Sequence, residues 1–180
     1  MTFRSFMLVS HRWLGLLSAV VVAVAGLTGA VLTWPLPPPY NDMLIEAHMN
    51  LWLGEVGAWA VLIATAASLL LQAGGLYLWW RTKRLALETG VGWRRLMLDL
   101  HNVVGVLGFV VMLVIAATAL GRVGLRGIEA PGMGFARKVV SRLHTAGGFP
   151  VPAKAVYAVA SLGFAVQGVT GVALWLKSRG

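Results

Sequence analysis

The sequence predicts an all-α integral membrane protein built as an up-down bundle of four transmembrane helices. Hydrophobic residues make up 58% of the 180 residues and charged residues only 12%, a balance outside the range of soluble domains. Crossing a hydrocarbon core of about 30 Å takes about 20 apolar residues. Four stretches meet that length, at 12–34, 57–80, 100–121 and 153–176. Because they and their short connections use up the chain, residues 1–180 are predicted to form a single transmembrane domain.

The connections between these stretches follow from proline and glycine. The first stretch is too long for the apolar part of a signal peptide, so we interpret it as a retained span. Pro35 and the run 37–39 end it, since consecutive prolines cannot continue a helix. Gly90 and Gly92 break the segment between the second and third stretches. After a glycine-rich loop, a short amphipathic segment at about 135–144 precedes the fourth stretch.

Basic residues indicate the orientation of the chain. The hinge between the second and third stretches is strongly basic and contains Arg81, Lys83, Arg84, Arg94 and Arg95. Tryptophans flank it, as in a cytoplasmic loop with an aromatic belt, so the net charge of +9 does not indicate nucleic-acid binding. The first outer loop has no Lys or Arg, which places both termini in the cytoplasm.

The second outer loop disagrees with this orientation because it is also basic. It carries Arg122, Arg126, Arg137, Lys138, Arg142 and Lys154. The first loop and the short hinge weigh more, because the rule acts most strongly close to span ends. The cytoplasmic terminal segments then hold Arg4, Arg12, Lys177 and Arg179.

Missing motifs exclude several kinds of site. The chain has no cysteine, which excludes disulfides, iron–sulfur clusters and covalently attached haem. It has neither a GxGxxG sequence after a strand nor a Walker sequence, so we expect no nicotinamide, flavin or nucleotide bound through those motifs.

The four histidines are the candidate metal ligands. His11 and His101 open the first and third stretches, whereas His48 and His144 precede the second and fourth. Four crossings therefore place His11 with His101 on the inner side and His48 with His144 on the outer side. Helices one and three of an up-down bundle are diagonal, as are two and four. Neighbouring axes 8–10 Å apart give a diagonal of about 11–14 Å, which suits a planar iron macrocycle ligated from both faces.

Other metals fit the pattern less well. Zinc and copper usually take three or four converging protein ligands. Each side here offers two histidines, so the sequence predicts two bis-histidine haem b groups. The alternative for each single histidine is an interfacial side chain in the lipid headgroups.

Glycine and arginine add detail to these sites. Gly15 follows His11 by four positions, and Gly105 and Gly108 follow His101 by four and seven, which leaves room for a porphyrin face. The alternative is that glycine lets helices pack closely. Haem propionates are expected to pair with cations. The inner candidate is Arg12; the outer candidates are Arg142, Lys138 and Arg137. The alternative for each is a solvated or headgroup-facing surface.

Several segments resemble the PepSY-associated transmembrane helix family. They include SHRWLGLLSAVVVAVAGLTGAVL, AHMNLWLGEVGAW, GGLYLWWRTKR, LDLHNVVGVLGF and LHTAGGFPVPAKAVYAVASLGF. The better-understood members of that family are bacterial inner-membrane reductases for ferric siderophores. The resemblance implies that His11, His48, His101 and His144 are the family's histidines and that haem b is the cofactor. Family members usually carry PepSY domains, for which the outer loops here are too short.

These observations predict a transmembrane di-haem b-type cytochrome of the bacterial inner membrane. The donor is expected to be a quinol or a cytoplasmic reductant. The acceptor is expected to be ferric iron, a ferric chelate such as a ferric siderophore, or a periplasmic redox protein. If the chain is itself an enzyme, it is a ferric reductase. The alternative is a non-redox scaffold or transporter subunit with interfacial histidines. A transporter usually shows interrupted helices or ionisable groups at the midplane, and the four stretches show neither.

Overall fold

Helices make up almost the whole fold. The computed structural model describes residues 2–176; Lys177 and Arg179, assigned above to the cytoplasmic C-terminus, lie outside the described residues. The helices are α1 (Phe3–Leu32), α2 (Tyr40–Asn50), α3 (Gly54–Trp80), α4 (Trp93–Gly124), α5 (Met133–Thr145) and α6 (Val151–Leu176). Of these, α1, α3, α4 and α6 are long and apolar enough to cross a membrane. The predicted all-α fold with four transmembrane helices is confirmed.

The outside of the bundle is apolar, as a lipid-facing surface must be. Leu17 of α1 and Leu107 of α4 are 77% and 73% exposed, and Val20 and Val110 are similarly open. Small residues fill the interior instead; the buried residues of α1, for example, are Ser18, Ala19, Gly26, Thr28 and Ala30. This distribution is typical of helices that associate in a bilayer, where close backbone approach replaces the hydrophobic effect.

The tightest packing joins α1 and α6 and depends on two glycines. A Cβ atom on Gly26 would lie 2.6 Å from the backbone oxygen of Ser161, and one on Gly168 would lie 2.7 Å from that of Ala19. Any side chain at either position would push the two helices apart. Glycine is therefore required here by backbone contact.

Helices α1 and α4 stand diagonally across the bundle. Each packs against both α3 and α6, while α2 packs against α1 and α3, and α5 packs against α4. The predicted arrangement, with spans one and three diagonal, is the one observed.

Two helices begin earlier than their apolar stretches. Helix α1 begins at Phe3 and α4 at Trp93, so His11 and His101 lie about two turns inside their helices and do not open them. The side chain of Thr2 accepts a hydrogen bond from the Ser5 amide at 3.2 Å and caps α1. The turns before these two stretches are thus helical, although hydropathy alone starts the spans later.

The first outer loop contains a helix that the sequence did not predict. Helix α2 occupies part of that loop, and Leu51 ends the helix in the left-handed conformation with φ 56°. The amphipathic segment predicted at about 135–144 is confirmed as α5.

The chain is an internal repeat of a long, a short and a long helix. The Thr28 hydroxyl donates to the carbonyls three and four positions before it, and the Thr118 hydroxyl makes the same two bonds. The same interval of 90 positions separates Thr28 from Thr118 and His11 from His101. The two halves of the chain therefore have equivalent structure.

Candidate functional site

The four histidines form two pairs. The ring centres of His11 and His101 are 6.2 Å apart, and those of His48 and His144 are 6.1 Å apart. Each ring is partly buried. The structure thus brings together the two pairs that the sequence predicts.

The inner pair spans the diagonal between α1 and α4, and glycines of the other two helices pack beside its rings. A Cβ atom on Gly75 of α3 would lie 3.2 Å from Cε1 of His11. One on Gly171 of α6 would lie 3.9 Å from Cε1 of His101. Gly75 and Gly171 are 96 positions apart, so the two halves of the repeat supply equivalent walls.

The outer pair comes from the short helices, which fold back against the bundle. Nδ1 of His48 in α2 lies 3.0 Å from the Ala25 carbonyl oxygen of α1. Nδ1 of His144 in α5 lies 3.1 Å from the Ile115 carbonyl oxygen of α4. Ala25 and Ile115 are also 90 positions apart, so each short helix docks on the same place of its own long helix.

These hydrogen bonds determine which ring nitrogen carries the proton. A carbonyl oxygen can only accept, so Nδ1 of His48 and of His144 must donate. The Thr170 hydroxyl donates to the Val166 carbonyl at 2.6 Å, so it accepts from Nδ1 of His101, 2.8 Å away. In all three rings Nε2 is left with a free lone pair. Histidines that ligate metals usually donate their other N–H in this way.

His11 differs from the other three. Its Nδ1 is buried and makes no hydrogen bond of ordinary geometry within residues 2–176, although the ring interacts with the Leu71 backbone. The position equivalent to Thr170, 96 residues earlier, is Gly74. A Cβ atom there would lie 3.8 Å from Nδ1 of His11, but glycine has no hydroxyl to offer.

The spacing of each pair fits an iron held between two imidazoles. A metal–imidazole bond is about 2 Å long and the ring centre lies about 1 Å beyond the nitrogen, so two rings on opposite faces have centres about 6 Å apart. Both observed distances match. Among the described residues there is no group of three or more His, Cys, Asp or Glu side chains that could hold a metal ion. The donor sets therefore suit a two-ligand metal such as haem iron.

The two pairs lie at different depths. Fourteen residues of α1 separate His11 from Ala25, and fourteen residues of α4 separate His101 from Ile115. At 1.5 Å per residue this is about 21 Å along each helix. The sites therefore lie towards opposite sides of a hydrocarbon core about 30 Å thick.

The sequence profile of the PepSY-associated TM region family matches residues 34–123, half of the chain. The chain belongs to this family. The matched segment runs from the end of α1 to the last turn of α4 and contains His48 and His101. Comparison with curated proteins and with solved structures gave no match.

Electrostatics at the outer pair of this family member favour neutral rings. Burial lowers the pKa of His48 below its usual value, and it lowers the pKa of His144 to about 4. His48 and Arg122 lower the pKa of His144 further through their charges. Both rings are consequently neutral near pH 7, which is the form that ligates a metal.

Arg122 is a site residue that the sequence analysis missed. It was counted only as a basic residue of the second outer loop, but it lies half-buried in the last turn of α4. It interacts electrostatically with both His48 and His144. Arg122 directly follows the third apolar stretch, so a helix that continues past this stretch could have indicated its place beside the outer pair. The position of α5 could not be known from the sequence.

Arg12 and Arg142 are predicted partners of the haem propionates. Arg12 is exposed and follows His11 in α1; Arg142 is exposed in α5. Along α5, positions 137, 141 and 144 share one face and 142 lies on another. The propionate roles of Arg12 and Arg142 stay predictions.

The space beside two of the predicted glycines is filled by neighbouring helices. A Cβ atom on Gly15 would meet Leu71 at 3.7 Å, and one on Gly105 would meet Nε2 of Gln167 at 3.1 Å. Gln167 also donates to the His101 backbone carbonyl at 2.7 Å. The packing interpretation therefore describes Gly15 and Gly105 in this structure.

Asp99, an acidic residue near the inner pair, was also not predicted from the sequence. Asp99 is only 1% exposed and lies two positions before His101. Arg95 approaches it to 3.1 Å and Arg84 to 3.9 Å. Asp99 lies just before the third apolar stretch, whereas α4 begins earlier and buries it. The cluster fastens the basic hinge to the helix that carries His101.

Proposed function

We propose that the chain is a transmembrane di-haem b-type cytochrome that moves electrons across the bacterial inner membrane. His11 and His101 would hold the inner haem, and His48 and His144 the outer haem. When bound, haem supplies reversible one-electron chemistry at its iron.

The observation that carries this proposal is the shared geometry of the two pairs. Both have ring centres about 6 Å apart, the separation expected of two imidazoles on one metal. In three of the four rings a carbonyl or hydroxyl accepts from Nδ1, which leaves Nε2 available. Interfacial histidines have no reason to meet in pairs at two depths.

Each residue around the pairs has a definable task. The carbonyls of Ala25 and Ile115 orient the outer rings and keep their Nδ1 atoms protonated. The hydroxyl of Thr170 does the same for His101. Two sites about 21 Å apart along the helices divide a barrier of about 30 Å into shorter steps.

We further propose the direction and the partners. With both termini cytoplasmic, the inner pair would face the donor, either a quinol or a cytoplasmic reductant. The outer pair would face a ferric chelate such as a ferric siderophore, or a periplasmic redox protein. Arg12 and Arg142 are proposed partners of the haem propionates. If the chelate is reduced directly, the chain is a ferric reductase.

Proteoliposomes with a trapped reductant and an external ferric chelate test the proposal. The purified protein should show a reduced-minus-oxidised b-type spectrum, and it should reduce the chelate. His48→Ala or His144→Ala should stop chelate reduction while the inner haem still becomes reduced. Thr82→Val is the matched control, since the exposed Thr82 hydroxyl donates to the carbonyl of Trp79, away from both histidine pairs. Undiminished chelate reduction in both histidine variants would defeat the proposed route, and a colourless protein would support the non-redox scaffold instead.

A further inference from the structure

A basic cleft lies between the C-terminal end of α4 and helix α5. It has a volume of about 330 Å³ and is lined by Arg122, Leu125, Arg126, Gly127, Arg137 and Ser141. Three guanidinium groups and a hydroxyl line it, and no acidic side chain does. The ion pairs of the described residues involve Arg84 and Arg95 on the inner side, so the arginines of this cleft have no carboxylate partner there.

One of the three arginines is held in place. Nε of Arg137 donates to the Leu125 carbonyl at 3.1 Å, and its Nη2 donates to the Ile128 carbonyl. A guanidinium group has five N–H donors, so these bonds leave others available. Holding the side chain beforehand reduces the entropy that a ligand would otherwise have to overcome.

The cleft lies next to the outer histidine pair. Arg122 follows Ile115, the docking point of His144, by seven positions, which is about 10 Å along α4. It interacts electrostatically with His48 as well as with His144. Arg126 follows one turn later and is exposed. The cleft therefore extends from the exposed Arg126 to the half-buried Arg122 near the outer histidine pair.

Interaction with the helix dipole would explain part of this arrangement. Cations are favoured in the last turn of a helix, where Arg122 lies. The same effect favours the bond of Arg137 to the carbonyl of Leu125, the C-cap of α4, but it does not require three arginines to line one cleft. Convergence of guanidinium groups from two helices is the arrangement expected of an anion site, because arginine binds carboxylates through paired hydrogen bonds.

We propose that this cleft binds a metal chelate bearing several free carboxylates and so seats the anionic electron acceptor beside the outer pair. The proposal rests on the proposed function for the identity of the acceptor. A single phosphate of a lipid headgroup carries too little charge to balance three arginines, whereas a polycarboxylate chelate balances them. A volume of about 330 Å³ accommodates a ligand of about ten water volumes, at about 30 Å³ each.

The direct test measures binding of gallium(III) citrate, a redox-inert probe, to the purified protein by calorimetry. Arg126→Gln should weaken binding at least tenfold. Lys154→Gln removes the same charge from the first turn of α6, outside the cleft, and should change the affinity less than twofold. Arg137→Lys keeps the charge but loses the paired geometry and should also weaken binding. All three variants should retain the wild-type haem spectrum, so a binding loss cannot reflect misfolding.

Further experiments distinguish a chelate in the cleft from a haem propionate and from a lipid headgroup. Equal affinities in Arg126→Gln and Lys154→Gln would overturn the proposal. Unchanged gallium citrate binding together with loss of the outer haem in Arg122→Gln would also overturn it, because it would assign the cleft to a haem propionate. If anionic lipid vesicles displace the probe and zwitterionic vesicles do not, the cleft is a headgroup site and the proposal is wrong. Binding of the probe to a protein that cannot transfer electrons would contradict the proposed function but not the anion site.

Discussion

The backbone carbonyls of Ala25 and Ile115 hold the two outer histidines, and each lies fourteen residues after the inner histidine of its own helix. A single interval repeated in α1 and α4 thus sets the distance between the two pairs. Because helical rise is constant, both long helices place their outer site about 21 Å from their inner one. The internal repeat therefore determines the separation of the proposed haems.

Thr170→Val should perturb the inner haem alone. The substitution keeps the shape but removes the acceptor for Nδ1 of His101. Loss of such a partner typically weakens metal affinity about 10–100-fold and makes the ligand less basic, which disfavours the ferric state. We expect a raised midpoint potential and weaker retention of the inner haem, measured by redox titration and by haem loss to a competing apoprotein. Thr82→Val removes an exposed hydroxyl bonded to the Trp79 carbonyl and should leave both values unchanged. A shift of the same size in both variants would contradict a role of Thr170 through His101.

Gly74→Ser should act in the opposite direction. His11 lacks the hydroxyl that Thr170 supplies to His101, and the tightest contact of a side chain at position 74 would be with the flexible end of Met7, at 3.1 Å. A serine hydroxyl here would accept from Nδ1 and make the His11 ring more basic. The inner midpoint potential should fall in the same titration. Gly74→Ala is the control with the bulk but without the acceptor, and an equal fall there would show that bulk alone is responsible.

Gly168→Ala should destabilise the bundle. The new Cβ would lie 2.7 Å from the Ala19 backbone oxygen, which cannot move without α1. Overpacking of this kind costs about 1–3 kcal/mol in free energy of unfolding. Thermal unfolding in detergent measures it, with Gly124→Ala as control because nothing lies within 4 Å of that position. Equal unfolding temperatures for the two variants would show that the α1–α6 contact is not tight.

Asp99→Ala should be more damaging than the loss of a surface ion pair. It removes a buried carboxylate and leaves Arg95, whose side chain is 35% exposed, without its partner, so we expect a cost between the about 1 kcal/mol of an exposed pair and the about 3–5 kcal/mol of a fully buried one. Glu88→Ala removes the exposed partner of Arg84 and should cost at most about 1 kcal/mol. The comparison uses the same thermal unfolding assay. Similar losses in both variants would mean that the buried cluster does not anchor the hinge.

Local composition predicted the architecture well. Apolar length determines the four spans, and the up-down order places the first and third on a diagonal, so the two histidine pairs followed from the positions of His11, His48, His101 and His144. Helix α2 was not predicted, because its mixed sequence lacks a clear apolar periodicity and prolines precede it. Its helical form depends on contact with α1 and α3.

Features that depend on contacts distant in sequence escaped prediction. Thr170 lies 69 positions from His101, and no local pattern marks its hydroxyl as the partner of that ring. Arg122 acquires its place near the outer pair only when α2 and α5 fold back. Asp99 is buried because α4 starts well before the apolar stretch, so hydropathy assigned it to the wrong side of the boundary.

The number of haems per chain tests the central claim most directly. A pyridine haemochrome assay on purified protein should give two haems b per chain in the wild type. It should give one in His101→Ala, one in His144→Ala, and none when both are combined. A value near one in the wild type that His48→Ala and His144→Ala leave unchanged would contradict the outer site and, with it, the proposed path across the membrane.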